Sequence, residues 1–278
     1  PPPLLPSLPL PALALLCPSP LAFPPYSTLR TGLRRFFLGL SGGVDSAVFA
    51  APAALALGPA QVTALYPPYR TSSDRSRADA QAVAATFGIA LEEVPITAQV
   101  DAYFAAQPGA DRIRIGNKMA RERKSIEYDR SWPDGLVLGT SNKTELLLGY
   151  GTQFGDLAAA LNPVGDLYKT QLRDLAAALG VPRAVIDKPP TADLWVGQTD
   201  EAELGFSYPV ADLILYHLVD RRVPPADLVA SGFDAAIIAR IRELIRRYHF
   251  KRVMPIIAKV SLRTIGHDFL YPRDWDPD

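Results

Sequence analysis

With 278 residues, 48% of them hydrophobic, and 29 basic side chains matched by 29 acidic ones, the chain has the length and apolar content for one large α/β unit and no net charge. That balance lacks the electrostatic footprint of a nucleic-acid binder or of a protein held to an anionic membrane. The single cysteine, Cys17, excludes an intramolecular disulfide and a thiolate metal cluster and fits a reducing cytoplasm.

Residues 1–25 are rich in proline and leucine and uncharged. Prolines interrupt any helix there, no basic region precedes the run, and no unbroken apolar span reaches membrane length. The expectation is an extended arm, neither signal peptide nor transmembrane helix, followed by a single domain over 26–278 that ends in a C-terminal arm. The run Phe36-Phe37-Leu38-Gly39-Leu40 reads as a buried strand that breaks into Ser41-Gly42-Gly43-Val44-Asp45-Ser46 and continues as an Ala-rich helix to about Leu57. Glycines there let the backbone approach a ligand, while helix N-terminal amides and the hydroxyls of Ser41 and Ser46 can donate to phosphate oxygens. Asp45 at the mouth of an anion site makes sense chiefly with a metal ion between it and the phosphates.

Further on, Val62-Thr63-Ala64-Leu65 predicts a second strand, Ser73 or Asp74 caps a helix that ends at Gly88, and 91–96 predicts a third strand. A helical pattern over 101–128 breaks near Pro108-Gly109. Gly135 to Thr140 is the next buried strand, and the loop after it carries Glu145. This alternation predicts a doubly wound, mostly parallel sheet flanked by helices, which binds ligands beyond the carboxyl ends of its strands. Asp45 and Glu145 each follow such an end, so two carboxylates distant in sequence can meet over one site. Lys169 opens a helix over 170–179, the stretch 188–204 is irregular, helices are expected over 208–219, 225–231 and 234–248, and the tail from Lys251 reads as an extended arm. Loops as long as 188–204 are often functional.

The Ser41–Ser46 stretch resembles the pyrophosphate loop of the ATP pyrophosphatases, which adenylate a substrate and release diphosphate. It differs from a Walker loop and lacks the third glycine of the dinucleotide fingerprint. Four later stretches narrow the resemblance to the ammonia-dependent NAD synthetases: Leu138 to Tyr150, Asn162 to Gln171, the run from Lys188 to Phe206, and Phe250-Lys251-Arg252. The resemblance implies an adenine nucleotide alpha hydrolase-like fold and a homodimeric, magnesium-dependent ligase that converts deamido-NAD, ATP and ammonia into NAD, AMP and diphosphate. It further implies ATP contacts at Gly39, Leu40, Ser41, Gly42, Gly43, Val44, Asp45, Ser46, Thr140, Lys169 and Thr191, with Arg70 as an additional nucleotide contact. Mg²⁺ falls to Asp45 and Glu145, deamido-NAD to Arg121, Phe250 and Lys251, and Asp156 is an ammonia-side or second-metal carboxylate. Where some members use a Lys and an Asp on the dinucleotide, this chain has Gln153 and Ala160.

Read singly, Lys169 is a first-turn lysine, Glu145 a helix-opening acid and Arg121 part of a charged helix face. Rival readings are a GMP synthetase ATP domain, a tRNA-modifying thiolase or lysidine-forming enzyme, and a non-catalytic nucleotide-binding module. The RNA enzymes call for a basic face that this neutral chain lacks, and a passive module needs no carboxylate pair.

Overall fold

Phe36, Phe37 and Leu38 are all buried in strand β1 (Arg35–Gly39) of the computed structural model, which describes residues 33–195, 197–253 and 256–265. A strand buried on both faces belongs inside a parallel sheet. β2 (Val62–Tyr66) and β4 (Gly135–Val137) flank β1 in parallel, and β3 (Ala90–Glu93) lies beyond β2, so the order is β3-β2-β1-β4. Growth of the sheet reverses direction between β1 and β4. The loops leaving these two strands diverge there and open a crevice, the place where doubly wound sheets bind ligands.

Helices cover both faces. On one lie α1 (Val44–Leu57), α2 (Asp74–Phe87) and α6 (Lys169–Ala178), sharing a core with Phe36, Leu38, Val62 and Ala64. On the other, beyond α3 (Thr97–Phe104), α4 (Arg112–Ser131) lies against β1 and β4. A second core joins α5 (Lys143–Leu148) with α8 (Asp200–Leu204), α9 (Tyr208–Leu215), α10 (Pro225–Ala230) and α11 (Ala235–Arg247), while α7 (Arg183–Ile186) packs beside α1 and α6. Side chains fix the helix starts: Ser73, Asp111, Asn142 and Asp234 each accept from a backbone N–H of the first turn.

Several elements differ from the sequence-based expectation. Pro95 has no N–H to offer a ladder, so β3 stops at Glu93, although Val94 and Ile96 still donate to Tyr66 and Pro68 carbonyls at 3.0 and 2.9 Å. β4 runs only to Val137, although Leu138 N still donates to Phe37 O at 2.8 Å and Leu138 bridges in parallel to Leu161. Helix α9 ends in a π-helical turn over Tyr216–Asp220 in place of a continuous helix to 219. The tail is not extended from Lys251: His249–Arg252 closes a 3-10 turn, held by Lys251 N donating to Tyr248 O at 3.0 Å. The expected arm over 1–25 and the tail beyond 265 lie outside the described residues. Among those described, no helix is long and apolar enough to cross a membrane.

Candidate active site

Beyond Gly39 the chain turns sharply into α1. Leu40 stays with the sheet, its N–H donating to Leu65 O at 2.8 Å and its side chain fully buried. Gly42 adopts φ +73°, and a Cβ there would strike the Ser76 carbonyl and approach Asp79 Cβ to 3.0 Å, so the turn is open only to glycine. Ser46 Oγ donates to Gly43 O at 3.0 Å and accepts from Ser41 N at 3.2 Å; Gly43 N donates to Ser41 Oγ at 3.3 Å. No side chain caps α1. Loop amides and two hydroxyls therefore surround a helix N-terminus, an arrangement that receives phosphate.

Asp45, in the first turn of α1, accepts Asn142 Nδ2 on Oδ1 at 2.9 Å. Its Oδ2 meets Lys169 Nζ at 2.5 Å, and the same ammonium donates to Glu145 Oε1 at 3.1 Å. Glu145 is placed by a capping box: Asn142 Oδ1 accepts from Glu145 N at 3.0 Å, and Glu145 Oε2 from Asn142 N at 3.3 Å. Lys169, the first residue of α6, is 2% exposed at its side chain, whereas Asp45 and Glu145 keep 21% and 15% open. Burial pushes the Glu145 carboxyl up to about 8, with Asp45 and Asp200 adding to the rise and Lys169 opposing it. For Lys169 burial works downward, but Asp45 and Glu145 outweigh it and hold the ammonium charged well above its ordinary range.

A cavity of about 670 Å³ opens over this group. Residues 188–195 form one rim as a strap. Lys188 Nζ reaches back to Gly42 O (3.3 Å), Ser76 Oγ (3.1 Å) and Asp79 Oδ2 (3.0 Å). Asp193 accepts Ser76 Oγ at 3.0 Å and Ser73 N at 3.3 Å, and the Arg112 guanidinium stands 5.1 Å from the Trp195 ring. The α4 wall presents Arg123, whose Nε donates to Pro67 O at 3.1 Å, and the buried pair Lys124–Glu127 at 2.6 Å. Asp156 faces the same space, its Oδ1 accepting from Thr152 N at 2.8 Å, and burial raises its carboxyl above the ordinary range. Tyr150 and Tyr208 donate to the two oxygens of Asp200 at 3.2 and 3.0 Å.

A phosphate cradle, a lysine between two carboxylates and a nucleotide-sized cavity above them suit adenylation of a carboxylate substrate. The sequence profile of the NAD synthase family matches residues 28–255. The chain belongs to the NAD synthase family. An NH(3)-dependent NAD(+) synthetase of Trichlorobacter lovleyi is 55% identical over 247 residues, 88% of this chain and 90% of the relative. Among solved structures, an NMN synthetase from Francisella tularensis superposes with TM-score 0.78 at 30% identity, covering 88% of this chain and 98% of that one. The NH3-dependent NAD synthetase of Campylobacter jejuni, in complex with nitrate, gives TM-score 0.76 at 31% identity over 89% and 99% of the two chains. Both solved structures share the α/β fold described here.

Of the residues expected at the site of a NAD synthase, Gly39, Ser41, Gly43, Val44, Asp45, Ser46, Thr140, Glu145, Asp156, Lys169, Thr191 and Lys251 line one cavity. Leu40 belongs to the core, and Gly42 lies against α2. Arg70 is out at the surface, its NH1 on Asp101 Oδ2 at 2.8 Å. Arg121 is exposed and its Nε donates to Gln153 O at 3.1 Å; Phe250 is 51% exposed. Lys251 closes the cavity floor, its Nζ donating to Gly149 O and Gly151 O at 2.9 and 2.7 Å. Sequence reasoning missed Lys188, Arg123, the Lys124–Glu127 pair and Asp200. Read singly, each is an ordinary helix or loop charge; Lys188 and Asp200 fall within the 188–206 run that carries the resemblance, but nothing in that run assigned them a role.

Proposed function

We propose that this chain makes NAD from deamido-NAD, ATP and ammonia, adenylating the nicotinate carboxylate and releasing diphosphate and then AMP. NAD formation by a ligase is what its family membership entails; the roles given to single residues are our reading. The observation that carries it is Lys169 Nζ joining Asp45 and Glu145, from α1 and α5, at the mouth of the Ser41–Ser46 cradle.

A free carboxylate is a poor acyl donor. Its oxygen attacks the α-phosphorus, the bond to diphosphate breaks, and the acyl carbon gains a good leaving group. Charge building on the phosphates during this step meets the Ser41 to Ser46 amides and hydroxyls and the Lys169 ammonium, fixed in advance by the hydrogen bonds above. Thr140 and Thr191 border the same cavity as nucleotide contacts. Asp45 and Glu145, hard oxygen donors that already share one cation and remain reachable from the cavity, suit Mg²⁺ and would hold it. Bound there, the ion would supply Lewis-acid neutralisation of phosphate oxygens.

In the second step ammonia attacks the acyl carbon, the bond to the AMP oxygen breaks, and one proton leaves the nitrogen. Asp156, with its raised carboxyl facing the cavity, is the ammonia-side acceptor in this reading. The strap fastened by Lys188 and Asp193 keeps water from the activated ester. Lys251, with Arg121 and Phe250 on the adjoining surface, contacts the dinucleotide; Arg70 remains an outer nucleotide contact. The homodimer and the cytoplasmic setting belong to the same reading.

Exchange of labelled diphosphate into ATP tests the first step. Exchange that needs deamido-NAD but no ammonia supports it; exchange without deamido-NAD, or none while NAD still forms, rejects adenylation of this substrate.

A further inference from the structure

Thr144 immediately precedes Glu145, and Thr170 immediately follows Lys169. Both hydroxyls end on one carboxylate: Thr144 Oγ1 donates to Asp212 Oδ1 at 2.5 Å, and Thr170 Oγ1 to Asp212 Oδ2 at 2.8 Å. Thr170 N also donates to Oδ2 at 2.8 Å, and Lys169 N donates to Thr144 Oγ1 at 3.1 Å. Asp212 is fully buried on α9, away from the cavity, as is Thr144. A carboxylate withdrawn from water is expensive unless its oxygens are filled; here three donors fill them, two from the opening of α6 and one from the opening of α5. One turn earlier on α9, Tyr208 lies beneath the Lys169 ammonium, 5.0 Å from ring centroid to Nζ, and its hydroxyl donates to Asp200.

We infer that Asp212 is a positioning residue for adenylation: from behind the site, its carboxylate sets the spacing of the two helix openings that present Glu145 and Lys169 to the nucleotide. This rests on the function proposed above. Asp212 touches no substrate; it acts through Thr144 and Thr170. The geometry explains why a full carboxylate stands there. Two acceptor oxygens are needed for donors from two helices, and an amide would turn an NH2 group toward one of them. Since a misplacement of about 1 Å can cost on the order of 100-fold in rate, loosening either helix is felt in the chemistry before it is felt in binding.

The test is Asp212→Asn, read by NAD formation and by deamido-NAD-dependent diphosphate exchange. Expected are a fall in kcat on the order of 100-fold, a parallel fall in exchange, and an ATP KM within about threefold of the parent, the pattern of an interaction needed in the transition state. Thr170→Val removes one arm of the clasp and is expected to lower kcat in the same way, while Thr170→Ser keeps the hydroxyl and restores the rate. If Asp212→Asn fails to fold, the Thr170 pair decides the matter: a Val variant as active as the Ser variant overturns the inference. So does a folded Asp212→Asn protein with unchanged kcat, or one whose loss lies wholly in KM. Parent turnover run alongside separates the two claims, because an active parent with an unimpaired variant overturns the positioning role alone, and an inert parent overturns both.

Discussion

Lys169 carries two carboxylates at once, and its removal leaves both facing each other in a largely enclosed site. Breaking a buried charge pair from one side costs roughly 3–5 kcal/mol, and the exposures of 2%, 21% and 15% put this triad in that class. Lys169→Met is therefore expected to lose about 3 kcal/mol in denaturant unfolding as well as its turnover. Asp45→Asn keeps shape and the Asn142 contact but gives up charge. Its kcat should fall about 100- to 1,000-fold, with Mg²⁺ no longer strengthening ATP binding in calorimetry; unchanged Mg²⁺-dependent affinity would mark the pair as structural. At this scale the sequence was informative wherever several polar residues cluster in one turn, as in Ser41 to Ser46. It was silent on Asp212 and Lys188, whose partners lie 42 to 146 residues away and meet them only after folding.

Long periodic elements were legible: the start of α2 at Ser73 and its end at Gly88 follow from capping chemistry. The four-residue α7 and the five-residue α8 were not, since one turn is too short to show a period. Strand ends slipped at Pro95, which has no N–H to offer, and after Val137. The stretch 188–204 was read as irregular throughout; Asp200–Leu204 is helix α8, and 188–195 is a strap pinned by Lys188 and Asp193. Lys188→Ala frees it from Gly42, Ser76 and Asp79, and the ATP KM is expected to rise about tenfold, equivalent to about 1.4 kcal/mol. Limited proteolysis by thermolysin should reach the strap sooner in this variant unless nucleotide is bound. An unchanged KM and cleavage pattern would show that the ammonium does not fasten the strap. Gly42→Ala forces a left-handed backbone and a clash with α2, with an expected loss of about 1–3 kcal/mol and of ATP binding together.

Across the molecule, the switch point between β1 and β4 is what brings residues 45, 145 and 169 together. Alternating strands and helices told of a parallel sheet, and Asp45 and Glu145 beyond two of its strand ends marked the ends that could meet; the strand order β3-β2-β1-β4 came only with the fold. Arg121 and Phe250 stay exposed among the described residues. The decisive measurement is mass spectrometry of the products formed from deamido-NAD, MgATP and ammonium, with glutamine replacing ammonium and nicotinate mononucleotide replacing the dinucleotide in parallel reactions. The account predicts NAD and AMP in equal amounts, none of either with glutamine as the only nitrogen source, and slower turnover of the mononucleotide. ADP in place of AMP, or no NAD from an otherwise folded protein, would contradict it.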